Sequence, residues 1–273
     1  MSESPPAYLH GFSEVEQARL MKQARLAEST VFSHIDYTGA RRLLEVGSGV
    51  GAQTEILLRR FPDLHVTCVD LSTAQIDAAR ANLARMPWCS DRYRLQQADA
   101  TDLPFSPREF DAAFLCWILE HVPSPERVLA EVRRVLSPGS PVYITEVMNS
   151  SFLLDPYSPN VWRYWMAFND FQYDNGGDPF IGAKLGNLLL AGGFRDVKTE
   201  VKVFHFDNRE PARRKTMIGF WEELLLSAAD QLLEAKRVTP EIVEGMRREM
   251  SDVQNNPDAV FFYAFVQASA TVY

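Results

Sequence analysis

Long apolar runs are missing from this sequence. No stretch approaches the roughly 20 consecutive apolar residues that a helix needs to cross a bilayer, so neither a helical membrane span nor a membrane partner is expected. The opening MSESPPAYLHGF has neither the basic leader nor the apolar core of a secretory signal, and a cytoplasmic location is expected. Cysteine is scarce. Cys68, Cys89 and Cys116 are odd in number, widely spaced and without a CxxC pair, which argues against a disulfide framework and a zinc site. Cys68 and Cys116 sit in apolar runs, where a thiol behaves as a small hydrophobe. Positive charge is in deficit: 28 Lys and Arg against 36 Asp and Glu give a net charge of −8. A chain of that sign is repelled by phosphate backbones, so nucleic acid is not an expected partner, and the basic run Arg209–Lys215 reads as a solvated segment. Metal ligands are thin as well. Asp170, Asp174 and Asp178 have loop-like spacing but lack the remaining ligands of a calcium loop, and no metal is expected.

What is present is alternation. Residues 1–10 read as a loose arm. From Ser13 the chain reads as a helix, with Ser13 as N-cap, Glu16 three residues on as in a capping box, and Val15, Leu20 and Leu26 as apolar positions. Arg42–Val46 is a short apolar strand, followed by a glycine turn and a helix that Pro62 closes. His65–Asp70, Tyr93–Ala98, Phe110–Trp117 and Pro141–Val147 read as further buried strands. Helices follow Ser72 and span Pro125–Leu136. Near-continuous apolar strands alternating with helices predict a doubly wound, mostly parallel sheet covered on both faces. After Gly192, Gly193 and Phe194 end a helix, Val197–Phe206 and Phe261–Ala268 read as the last strands, for seven in all. One domain is expected. It divides into an N-terminal helical cover (1–40), a cofactor-binding core (41–147), an aromatic cap with a helix (148–193) and C-terminal strands (194–273) with a helical insertion at about 211–256.

The turn Gly47-Ser48-Gly49-Val50-Gly51 carries the chemistry. A glycine-rich turn between a strand and a helix brings backbone N–H groups to the carboxyl edge of a parallel sheet, where nucleotides bind. With Ala52 it also satisfies the dinucleotide fingerprint G-x-G-x-x-G/A, so a nicotinamide cofactor stays open at this point. Glu45 favours another ligand: a carboxylate two residues before Gly47 would repel a pyrophosphate and suits a cationic sulfonium and an ammonium group. Asp70, 19 residues after Gly51, can accept hydrogen bonds from both hydroxyls of a ribose, with Leu71 placed to pack on the adenine. Asp99 can take the adenine amine, with the Ala100 amide nearby.

LLEVGSGVG, VTCVD, QQADATDLPF and FDAAFLCWILEHVPSPERVLAEVRRVLSPG, in this order, resemble the successive motifs of class I, Rossmann-like S-adenosylmethionine-dependent methyltransferases of the small-molecule type. The resemblance covers residues 41–147 well and AGGF with its following strand more loosely. It implies S-adenosylmethionine as cofactor and S-adenosylhomocysteine as product. Glu45, Gly47 and Gly49 would surround the methionine moiety, Asp70 would bind the ribose and Asp99 with Ala100 the adenine, with Ser48, Leu71 and Gln75 as further cofactor-binding candidates. Cys116, Trp117 and His121 would lie near the sulfonium. The segment from Tyr8 through Gly11, Glu16, Arg19 and Gln23 resembles a helix that covers the cofactor in some members, which makes Tyr8, Arg19 and Gln23 candidates for its polar tail.

Methyl transfer from a sulfonium is an in-line displacement with an excellent leaving group, so alignment and exclusion of water carry most of the catalysis and no covalent residue is required. His121 is the candidate base for an acceptor that must lose a proton, although the same triplet Glu120-His121-Val122 is also compatible with a purely structural role. Aromatics crowd residues 148–180; Tyr157, Trp162, Trp165 and Phe168 are the candidate substrate residues, for a flat or apolar acceptor such as a secondary metabolite or quinone-like compound. The expectation is therefore a methyltransferase for a small molecule, monomeric or homodimeric. A non-catalytic S-adenosylmethionine-binding regulator and an NAD-dependent oxidoreductase are the alternatives.

Overall fold

The structure, a computed structural model, describes Gly11 and residues 13–273. Helix α1 (Glu14–Val31) starts where Ser13 accepts the Glu16 N–H at 3.2 Å, as the capping signal predicts. Its inward face differs from expectation. Val15 is 81% exposed, and the buried positions are Glu16, Arg19, Ala24, Ala27 and Val31. Glu16 and Arg19 can be buried because they neutralise each other through paired bonds of 2.6 and 2.7 Å.

The core follows as β1 (Arg42–Val46), α2 (Ala52–Arg60), β2 (His65–Asp70), α3 (Thr73–Leu83), β3 (Tyr93–Gln97), β4 (Ala112–Cys116), α4 (Pro125–Val135) and β5 (Pro141–Val147). The strands β3, β2, β1, β4 and β5 are neighbours in that order and pair in parallel. Their apolar runs are continuous because alternate residues serve two cores. Leu43, Val66, Ala112 and Phe114 face one core with α1 and α2, whereas Leu44, Val46, Ala113 and Leu115 face the other. Helix α4 closes the second with Val128, Leu129, Val132 and Val135 at helical spacing, and Pro125 begins it where an N–H would be unpaired in any case.

The remaining elements are β6 (Leu153–Asp155), α5 (Pro159–Asp174), α6 (Leu185–Ala191), β7 (Arg195–Phe206), α7 (Pro211–Ser227), α8 (Ala229–Glu234), α9 (Pro240–Asn255) and β8 (Val260–Thr271). Strand β8 lies antiparallel to β5 on one edge and to β7 on the other. The sheet has eight strands among the described residues, against seven expected. The extra one is β6, three residues long, which pairs with Leu153 opposite Phe262 on the β8 edge that β5 also uses. It prolongs β5 after a short turn, and so small a strand leaves no periodicity in the sequence. The cap helices α5, α7 and α9 stand over the first core, where Phe152 stacks on Trp221 at 5.2 Å and 14°. Among the described residues, no helix is long and apolar enough to cross a membrane.

Candidate active site

The carboxyl ends of β1, β2, β3 and β4 open into a cavity of about 1020 Å³, roofed by α1 and by the cap helices α5 and α7. Its volume lies at the top of the ~300–1000 Å³ range of pockets for a single drug-sized ligand, so it has room for a cofactor beside an acceptor.

The glycine turn is shaped by close approach. Gly47 has φ +73°, and a Cβ there would lie 2.5 Å from Ile118 Cδ1. The amides of Gly47 and Ser48 both donate to the Val69 carbonyl, at 2.9 and 3.0 Å, which stitches the turn to β2. Gly49 donates its N–H to Asp70 Oδ2, and Ser72 donates to Asp70 Oδ1, both at 2.9 Å. Asp70 thus clamps two loops and still faces the cavity. Each carboxylate oxygen can accept two hydrogen bonds and has one of these amides, so both retain a lone pair for a diol. Burial pushes the Asp70 carboxyl up, opposed by the Ser72 and Gly49 amides, by His121 and by the Leu71 amide. Asp99 Oδ1 accepts the N–H and hydroxyl of Thr101, each at 2.8 Å, which fixes the loop at the cavity wall beside Ala100. Leu71 is 53% exposed and also lines the wall, as an apolar face for a flat ring would. Gln23 lines the roof while accepting from Arg19 at 2.8 Å.

Cys116, Trp117 and His121 line the floor. Trp117 has φ +55°, an uncommon conformation for a bulky residue, and its N–H donates to the Thr145 carbonyl at 2.9 Å. The turn after it is held from beneath. Buried Glu146 accepts the amides of Ile118 at 3.0 Å, Leu119 at 2.7 Å and Glu120 at 3.3 Å. Burial and then the nearby Glu120 push the Glu146 carboxyl well above its ordinary range. His121 Nε2 lies 3.6 Å from Glu120 Oε1.

On the cap side the cavity is aromatic. Trp165 and Phe168 stack at 5.3 Å and 16°, and Phe171, Phe204, Phe220 and Trp221 join them. Tyr263 Oη donates to Asn149 Oδ1 at 2.9 Å, and burial first, then Glu120, raises its phenol well above the usual value.

Three sequence candidates lie elsewhere. Glu45 does not line the cavity. Its side chain alternates with Leu44 and Val46, so it points with Leu43 towards α2, where its Oε2 accepts the Thr54 hydroxyl at 2.6 Å. Tyr157, 73% exposed, and Trp162 line a shallow groove on the outer face of α5 instead of the cavity. Helical periodicity explains it: Val161, Trp165, Phe168 and Gln172 share the inward face, and Trp162 is out of phase. Tyr8 lies outside the described residues. Sequence reasoning missed Asn149, Gln172, Phe220, Trp221 and Tyr263 as cavity residues. The inward period of α5 could have found Gln172. The apolar face Phe220, Trp221 and Leu224 packs on the core and lines the cavity as well.

Burial raises the Glu45 carboxyl to about 7. The raised value means that the folded protein holds this proton more tightly than the unfolded chain does. The stability it confers is complete below the unfolded value near 4.5 and is lost as pH rises through about 7, amounting to about 3 kcal/mol. Glu45→Gln keeps an acceptor for Thr54 and removes the titration. In denaturant melts at pH 5 and pH 8, wild type is expected to lose up to about 3 kcal/mol more than Glu45→Gln on going to pH 8. Equal losses in the two proteins would refute this account of Glu45.

The chain matches known proteins in sequence and in fold. A family model described as a methyltransferase domain matches residues 44–144. The O-methyltransferase cnsE of Penicillium expansum is 34% identical over 155 residues, which cover 56% of this chain and 51% of that protein. The chain spans about half or less of the length of the curated relatives that head the comparison. Among solved structures, the [4+2]-cyclase SpnF matches 93% of this chain and 81% of its own at 26% identity and a TM-score of 0.51. Phosphoethanolamine N-methyltransferase 2 of Haemonchus contortus, in complex with S-adenosyl-L-methionine, matches 96% of this chain and 57% of its own. Its TM-score is 0.57 and its identity 18%, a likeness of fold alone. The parallel sheet, the glycine turn over Asp70 and the family match together show that residues 44–144 form a methyltransferase domain of the class I, Rossmann-like, S-adenosylmethionine-dependent kind.

Proposed function

We propose that this chain transfers the methyl group of S-adenosylmethionine to a small acceptor with an aromatic or apolar body. The observation that carries the reading is the continuity of one cavity, from the glycine turn, Asp70 and Asp99 at the sheet edge to Trp165, Phe168 and Trp221 under the cap. The cofactor half fits its ligand. Ser48 Oγ and Gln75 Oε1 are buried there without a protein partner, and such groups are costly unless a ligand or water completes them.

When bound, S-adenosylmethionine supplies an electrophilic methyl group on a sulfonium that leaves as a neutral thioether. The residues of the chain do the rest. Asp70 accepts the ribose hydroxyls, Leu71 and the Asp99–Ala100 loop hold the adenine, and Gly47, Ser48, Gly49, Gln75 and Gln23 bind the remaining polar groups. Cys116 and Trp117 form the floor against which the acceptor is aligned, a term worth roughly 7–11 kcal/mol when alignment is good. Aromatic walls exclude water from the reacting atoms. His121 takes a proton from an acceptor that must lose one, a contribution of about 10²–10⁴-fold. Acting as one domain, monomeric or homodimeric, the chain works in the cytoplasm without a nucleic-acid or membrane partner.

Incubation with methyl-labelled S-adenosylmethionine and a panel of aromatic and apolar acceptors tests this. Label is expected in at least one acceptor, with S-adenosylhomocysteine formed in equal amount. A second reading, a cofactor-binding protein that transfers no methyl group, is favoured by the likeness to a solved protein described as a [4+2]-cyclase. Tight S-adenosylhomocysteine binding with no label transferred to any acceptor would select it.

A further inference from the structure

Where the cofactor half of the cavity meets the aromatic half stands a carboxylate. Glu120 lies on the turn Leu119–His121 after β4, its side chain 9% exposed, and lines the cavity. Its Oε2 accepts Gln172 Nε2 at 2.9 Å, across from α5. Gln172 Oε1, also at the cavity, is buried without a protein partner, so this point offers two acceptors and asks for a donor. No Lys or Arg among the described residues pairs with Glu120. Of the two cationic side chains at the cavity, Arg19 is bound to Glu16 at 2.6 Å and Arg127 is exposed on the first turn of α4. Glu146 lies behind Glu120, its own carboxyl pushed up by burial and then by Glu120. His121 Nε2 stands 3.6 Å from Glu120 Oε1, too long for a hydrogen bond, so a cation delivered by the ligand would complete the surroundings of this buried carboxylate. Trp165, Phe168 and Trp221 line the same cavity, and aromatic rings favour a cation and an apolar body alike.

We propose that the methyl acceptor is an amine on an apolar, flat body, with its ammonium group held by Glu120 and its body against Trp165, Phe168 and Trp221. The proposal rests on the methyltransferase reading and narrows its acceptor class. In the reaction the ammonium of such an acceptor gives one proton to the Glu120 carboxylate that holds it, in place of His121. The freed nitrogen lone pair forms the new N–C bond, and the electron pair of the broken C–S bond stays on sulfur. Anionic acceptors are rejected by the same carboxylate.

Three probes with one indole body separate the possibilities: tryptamine (a cation), tryptophol (a neutral hydroxyl) and indole-3-acetate (an anion). Each is titrated calorimetrically at pH 7 into protein saturated with S-adenosylhomocysteine. Tryptamine is expected to bind at least about tenfold more tightly than tryptophol, with indole-3-acetate weakest. Glu120→Gln is expected to weaken tryptamine by at least about tenfold, leaving tryptophol and S-adenosylhomocysteine within about threefold of wild type. Tryptophol or indole-3-acetate binding as tightly as tryptamine, an unchanged order in Glu120→Gln, or no binding of any probe to the saturated protein would overturn the proposal. Failure of S-adenosylhomocysteine itself to bind wild type would instead overturn the methyltransferase reading on which it rests.

Discussion

Asp70→Ala is expected to weaken S-adenosylhomocysteine binding by at least about a hundredfold while leaving the fold intact. Two effects add. The ribose hydroxyls lose a charged acceptor, and each such bond contributes about 1.5–3 kcal/mol. The Gly49 and Ser72 amides lose the carboxylate that holds them at 2.9 Å, so the glycine turn and the start of α3 are no longer clamped to each other. Asp70→Asn separates the effects: it keeps one oxygen for a backbone amide and gives up the charge. Its affinity is expected to fall between the two. Calorimetric titration reads the affinities and circular dichroism checks the fold; an alanine variant within about threefold of wild type would remove Asp70 from the site.

Gly182→Ala is expected to lower the melting temperature by roughly 10 °C, a loss of about 3 kcal/mol. A Cβ at this position would meet the Val147 carbonyl oxygen at 2.6 Å and that of Glu146 at 2.7 Å. Both are backbone atoms at the end of β5 and cannot rotate away. The damage reaches the site, because the Glu146 side chain holds the amides of residues 118–120 under the cavity floor. Gly139→Ala is the control. Unlike Gly182 it has a positive φ, at +84°, but a Cβ there meets nothing within 4 Å, and its cost is expected to be about 1 kcal/mol. Equal thermal shifts for the two variants would show that the clash at Gly182 is relieved by movement, against this account.

The sheet and the cofactor half of the cavity were legible because their signals are local. A turn with φ of +73°, +51° and +76° at Gly47, Gly49 and Gly51 requires glycine, and an acid at the end of the next strand can reach back to it. Glu45 shows where local reading fails. Its place beside the turn suggested ligand contact, but strand alternation sends its side chain towards Thr54 on α2. The aromatic cap was legible as composition and illegible residue by residue. Trp165 and Phe168 line the cavity while Trp162 and Tyr157 do not, a distinction that follows from the phase of α5 and not from residue type. Glu120 and Gln172 are 52 positions apart, and only the packing of the cap on the core brings them together. The short β6 was missed for a related reason: its register comes from β8 and not from a pattern of its own.

Calorimetric titration of the wild-type protein with S-adenosylhomocysteine, with NAD as control, tests the central claim most directly. Micromolar, one-to-one binding of the thioether with no binding of NAD is the predicted result. Binding of NAD alone, or of neither ligand, would contradict the assignment of the glycine turn and of the half of the cavity built on it.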